Sequence, residues 1–179
     1  MNVQKTLTRF ESVANEWLLS LDSYSEEQFT KKPDADSWSI GQVYHHLIAG
    51  TNRFHLQHIA SCLDGKGKNI RGGKKFPGKF VFLIGSFPDA KIKVPPSDAY
   101  TPKQPAGIAD MRFALPQLIE TMRETAGKIG SASKSIKLEH PAFGYLNASE
   151  WFSMIEMHFR HHLRQKARLD KFLGLLEKK

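Results

Sequence analysis

Residues 151–176 read WFSMIEMHFRHHLRQKARLDKFLGLL. Within them Trp151, Ile155, His158, His162, Gln165, Leu169, Phe172 and Leu176 follow one another in steps of four and three. That spacing is the seam of a helix that buries one stripe against its neighbours in a bundle. His158 and His162 occupy the middle of the seam, one turn apart, so the pattern points both imidazoles inward. His161 falls about 60° beyond His158 and belongs to the margin. Arg160, Arg164, Arg168 and Lys171 take another stripe, which reads as a solvent face, with Glu156 placed to pair with Arg160 at i,i+4.

Three further segments repeat the helical period. The first runs from Val3 to Leu21 through Leu7, Phe10, Ala14 and Trp17. A short turn follows, where Ser25 and Gln28 match a capping box. The second helix starts at DSWSIGQV, with Ser39 and Gln42 as a capping box and Trp38 and Val43 as its hydrophobic staple. It extends to about Leu63, and Gly65 is its stop. The third covers Ile108 to Ile129 along Met111, Leu115, Leu118 and Met122, with Pro116 expected to kink it or delay its start. The fourth repeats the starting device of the second: Asn147 and Glu150 cap each other, Leu146 staples to Trp151, and the helix is expected to reach about Leu176.

Residues 64–106 between the second and third helices are rich in Gly, Pro and Lys, and a connection this long in a compact domain reads as a lid or crossover. Its apolar centre, Phe80 to Phe87, is expected to pack on the body as a short helix or an extended cover. No internal repeat and no clear strand is visible. The expected fold is all-α, a four-helix bundle with a long crossover between the second and third helices, forming a single domain over residues 1–179.

Composition narrows the functions. The 179 residues carry a net charge of +8, from 26 Lys and Arg against 18 Asp and Glu, and 40% of them are hydrophobic. No apolar run approaches the roughly 20 residues a bilayer span needs. The N-terminus has no signal-peptide core, and Cys62, the sole cysteine, allows no intrachain disulfide. A cytoplasmic protein with no membrane partner is expected. Much of the positive excess lies in Lys66, Lys68, Arg71, Lys74, Lys75 and Lys79 and on the last helix. These groups read first as a solvated surface and second as an attractor for an anionic substrate. Zinc-finger spacing, a Walker loop and a dinucleotide fingerprint are absent, and no recognition helix stands out, so no specific nucleic-acid partner is expected.

Two histidines in an apolar seam require partners. At i,i+4 both rings can converge on one ion, and a third ligand should come from a neighbouring helix. His45 and His46, in GQVYHHLIAG, are the candidates, and periodicity favours His46 only slightly. Gly50, one turn after His46, leaves room for a close approach. His55 and His58 read as surface or boundary groups, and His140 as a loop residue. No general base is evident along the inner faces; Tyr44 and Tyr145 read as packing residues.

The stretches SWSIGQVYHHL and HPAFGYLNASEWFSMIEMHFRHHLRQ together resemble the DinB-like superfamily, whose second helix starts with a Trp-Ser…His-Leu signature and whose last helix ends in His-x-x-x-His-x-x-Gln. The resemblance covers about residues 1–63 and 107–179 and leaves the basic connection unexplained. It implies a divalent metal held by His46, His158 and His162. Gln165 matches the family's Gln and is a candidate to orient a bound water or a ligating imidazole. The ion would be a transition metal, Zn or Ni first, with Fe, Co or Cu also suited to imidazole.

Members include S-transferases that use low-molecular-weight thiols and proteins assigned as metal-dependent hydrolases, commonly as homodimers. The resemblance therefore implies a small-molecule substrate, with a low-molecular-weight thiol as the transferase's co-substrate. The contrasting expectation is a non-enzymatic metal- or ligand-binding stress protein.

Overall fold

The computed structural model describes residues 2–89 and 101–175. Residues 90–100 of the long connection, and Leu176 at the end of the expected seam, lie outside them. Helix α1 (Val3–Ser20) leads through a 3-10 turn at Leu21–Ser23 to the short α2 (Glu26–Thr30). The second rod of the bundle consists of α3 (Ile40–Gly50), one π-helical stretch (Thr51–His55) and α4 (Leu56–Leu63). The connection carries β1 (Lys68–Asn69) and α5 (Phe76–Ile84), and α6 (Ile108–Ile129) follows. Strands β2 (Ile136–His140) and β3 (Gly144–Leu146) then lead into α7 (Ala148–Phe172). Helix α1 packs on α6 and α7, and the α3–α4 rod also packs on α6 and α7. This is a four-helix bundle with the long crossover between its second and third rods.

The anticipated seams form the core. Leu7, Phe10, Ala14, Trp17 and Leu21 are buried, and so are Ile108, Met111, Leu115, Leu118, Met122 and Ile129. Helix α6 starts at Ile108 and runs unbroken through Pro116, so its start is not delayed. Glu26, at the head of α2, accepts from the Ile108 N–H at 3.1 and 3.2 Å, which places a carboxylate on the positive end of α6.

Helix α7 departs from the single-stripe reading. From Trp151 to Met157 every residue is buried, because α1 covers one side and α4 the other. Arg160 and Arg164 are not part of an open solvent face. Arg160 pairs with the buried Glu156 and donates to the Gly85 carbonyl at 2.6 Å, and Arg164 donates to the Phe87 carbonyl at 3.1 Å. Arg168 and Lys171 are exposed as expected. The helix ends at Phe172, short of Leu176. Gly174 turns left-handed at φ 74°, and the Leu175 N–H closes on the Asp170 carbonyl. Phe172, 42% exposed, therefore sits at the fraying end of the seam rather than in the core.

A small antiparallel sheet, absent from the sequence reading, joins the crossover to the segment before α7. Lys68 pairs with Lys137 and Asn69 with Ile136, while Leu138 pairs with Leu146 and His140 with Gly144. Strands of two to five residues are too short to show a period of two. The connection is fastened further by α5, a short helix. It buries Gly78 and Val81 against the body and leaves Phe76 and Leu83, 80% and 84% exposed, outside. A Cβ at Gly78 would lie 2.3 Å from the Phe143 carbonyl oxygen, so only glycine permits this approach.

Both site-bearing rods start at the capping boxes. Ser39 accepts from the Gln42 N–H at 3.1 Å, and Gln42 reaches back to the Ser39 N–H at 3.0 Å. The same side chains hold the returning crossover: Ser39 donates to Gln104 at 2.7 Å and Gln42 donates to the Pro102 carbonyl at 2.7 Å. Asn147 and Glu150 repeat the box on α7, and Glu150 also pairs with Lys74 from the crossover. Ser39→Ala should therefore cost about 1–2 kcal/mol, at the upper end for a cap because a buried tertiary bond goes with it. Urea unfolding checks this, and a loss no larger than that of the exposed Thr8→Ala would contradict it.

Candidate metal centre

Position 46 lies on the second turn of α3, and the box at Ser39 sets that helix's phase so that His46 faces α7. Its Nε2 is 3.1 Å from Nε2 of His158, which is 3.0 Å from Nε2 of His162. All three donor atoms lie within 4.8 Å of one another, and among the described residues this is the one such cluster. Ligation at about 2.0–2.1 Å in tetrahedral geometry would set nitrogens about 3.3 Å apart, so this set needs only slight spreading to take an ion.

The tautomers favour the same use. His162 Nδ1 lies 2.8 Å from Gln165 Oε1. With the carboxamide in this orientation the oxygen accepts, so Nδ1 carries the hydrogen and Nε2 presents a lone pair. Burial pushes the His46 imidazole down to about 4 and that of His162 to about 3, with neighbouring imidazoles adding to both effects and Gln165 partly opposing it at His162. His158 is driven well below its usual value for the same reasons. All three are neutral at pH 7, the state that ligation requires. No carboxylate or thiol among the described residues joins the cluster.

Trp38, the staple residue, packs its ring 5.1 Å from that of His46, and Phe87 from the crossover packs on His161 and His158. His45 is not part of the cluster; burial, with the charges of Arg53 and Lys103, lowers its pKa. Gly50 meets open space rather than a neighbouring helix. Tyr44 is buried and donates to the Trp17 carbonyl at 2.6 Å, while the Tyr145 hydroxyl accepts from Lys68 at 2.7 Å. Two basic residues of the crossover fasten it, Lys74 by pairing with Glu150 and Lys75 with Glu139, while Lys66 makes only a local, exposed pair with Asp64. Arg71 and Lys79 are exposed. A cleft of about 670 Å³ between Leu21, Asp22, Ile108 and Arg112 gathers none of the imidazoles.

His58 is a boundary residue, as expected, with Nδ1 2.8 Å from the Phe54 carbonyl. His140 ends β2 and accepts from the Ala142 and Phe143 N–H groups, so it shapes the hairpin turn. His55 corrects the sequence reading. It is only 7% exposed, and its ring lies 6.1 Å from Trp151 and 5.7 Å from His158. Nine residues after His46, it would face about 180° away in a regular α-helix. The π-helical stretch absorbs one residue and reduces the angle to about 80°. Periodicity carries no mark of that wide turn.

The DinB superfamily profile matches residues 9–165. Among solved structures, YfiT from Bacillus subtilis, described as a probable metal-dependent hydrolase with an unusual four-helix bundle topology, superposes with a TM-score of 0.62. The match covers 96% of this chain and 87% of that one at 15% identity, a likeness of fold. No curated protein matches the sequence. No helix among the described residues is long and apolar enough to cross a membrane.

The depressed histidines set an acid limit on the metal-free protein. Their folded pKa values lie below the unfolded value of about 6.5. The stability they contribute is thus full above pH 6.5 and is lost as pH falls toward 4 and 3. Urea unfolding of the chelated protein should weaken steadily over that window. His162→Gln should reduce the slope by up to one proton, about 1.4 kcal/mol per pH unit. An unchanged slope in that variant would show that His162 titrates freely.

Proposed function

The chain belongs to the DinB superfamily, and we propose that it is a metal-dependent enzyme acting on a small molecule, with one divalent ion held by His46, His158 and His162. The observation that carries the reading is the convergence of three half-buried, neutral imidazoles from two rods, their Nε2 atoms turned to one point. Zinc and nickel suit three imidazoles best, and iron, cobalt and copper are the next choices. An ion with three protein ligands keeps a position open and supplies Lewis-acid activation of water, for hydrolysis, or of a thiol, for transfer to an electrophile.

The chain's own groups do the rest. Gln165 holds the His162 tautomer, and Trp38 and Phe87 pack apolar rings on His46 and His158. The hydrolase reading draws on the description of YfiT. Thiol transfer is the second reading. No carboxylate among the described residues joins the cluster, and a thiol acidified by the ion needs no separate base.

Elemental analysis of protein purified without added metal should find about one transition-metal equivalent, lost in His158→Ala. Equal metal in that variant would sink the assignment. At pH 7.5 the loaded protein should melt several degrees above a chelated sample, since a ligand that binds only the folded state stabilises it. The gap should close below about pH 6 as protons compete for the imidazoles. It should vanish in His162→Gln and persist in His58→Gln.

Loaded wild type and His158→Ala should also be compared on a panel of esters and amides, and on low-molecular-weight thiols with a model electrophile. Faster turnover by wild type on one arm identifies the reaction. Equal rates on every arm would favour a non-enzymatic binding protein.

A further inference from the structure

We propose that His55 is a positioning residue of this centre: it accepts a hydrogen bond from Nδ1–H of His158 and so holds that ligand's ring and tautomer. The inference rests on the reading of His46, His158 and His162 as the ligand set. An imidazole that ligates through one nitrogen carries a hydrogen on the other, and that N–H is normally given to an acceptor that fixes the ring. His162 already has Gln165. His158 turns Nε2 toward the other two ligands, so with an ion bound there its Nδ1 bears the hydrogen, and Nδ1 is buried with no partner.

Four rings pack on His158. His46 and His162 direct their Nε2 atoms to the shared point, and Phe87 offers no ring nitrogen. The fourth is His55, at 5.7 Å and an interplanar angle of 73°. Its own Nδ1 is likewise buried and partnerless. An orphan donor and an orphan acceptor on rings in edge-to-face contact are complementary, and pairing them takes a turn of the rings and a slight approach of one to the other. A residue present only to fill this space would be better apolar, because burying an unbonded imidazole costs stability.

The backbone supports the assignment. The π-helical stretch Thr51–His55 is what swings His55 from the far side of the rod into the interface with α7. Such turns are rare and occur frequently at functional sites. His55 thereby sits between Trp151 and His158, two turns apart on α7.

The test uses the full chain with zinc and with cobalt(II). His55→Phe keeps the volume and removes the acceptor. It should weaken zinc binding about tenfold or more and shift the visible spectrum of the cobalt form, while the metal-free melting temperature holds or rises. His55→Gln, whose amide oxygen accepts, should recover most of the affinity and the spectrum. If His55→Phe matches wild type in both, His55 is a packing residue and the proposal fails while the three-histidine site stands. If wild type itself binds no zinc or cobalt, both readings fall.

Nitrogen-15 spectra of the zinc-loaded wild type test the bond without any substitution. A downfield His158 Nδ1–H coupled to a His55 nitrogen is expected; a His158 Nδ1–H that exchanges freely with water would overturn the proposal.

Discussion

The phase of two helices governs everything at the imidazole cluster, and two buried capping boxes set it. Ser39 with Gln42 starts α3, and Asn147 with Glu150 starts α7. A slip of one residue would turn either helix by about 100° and carry its histidine out of the cluster. Each box also holds the crossover: Gln42 and Ser39 bind Pro102 and Gln104 on its return, and Glu150 binds Lys74 near its departure. Helix start, crossover path and site geometry therefore rest on the same few side chains.

The crossover is the part of the molecule whose charge most invites a functional reading, and its contacts give it a structural one. Lys68, Lys74 and Lys75 fix it to β3, α7 and the sheet hairpin. From the other side Arg160 and Arg164 hold the carbonyls of Gly85 and Phe87. Glu156, buried under this arrangement, orients Arg160. The outcome is a cover that places Phe87 against His158 and His161, so the basic residues act on the site chiefly by holding an apolar wall beside it.

Gathering imidazoles in a bundle core is costly for the metal-free chain. Each is neutral and desolvated, His158 leaves Nδ1 without a partner, and a proton taken up by one would meet unfavourably any charge on its neighbours. An ion on the three Nε2 atoms would satisfy their crowded lone pairs and add ligand binding energy to folding. Around the cluster the core is aromatic and tightly bonded: Trp17 stands edge-on to Tyr44, and Phe10 to Phe159. This is the rigid setting that a small ligand set needs to stay in register.

The bundle is legible in the chain's local patterns alone. Periods of three and four in four segments marked the rods, and the two capping boxes marked where the site-bearing ones begin, because both signals are local and repeat within one element. His158 and His162 were legible for the same reason, as members of one seam. The second rod's contribution was not legible from periodicity, since His45 and His46 differ by one residue in a stretch that is apolar nearly all round; only the family resemblance pointed to His46, and its convergence with the other two is a tertiary fact. The short sheet and the use of Arg160 and Arg164 also depended on partners distant in sequence. His55 was the most hidden. Its inward position comes from a π-helical stretch, and what holds such a turn open is packing against another helix, which no period within a single segment records.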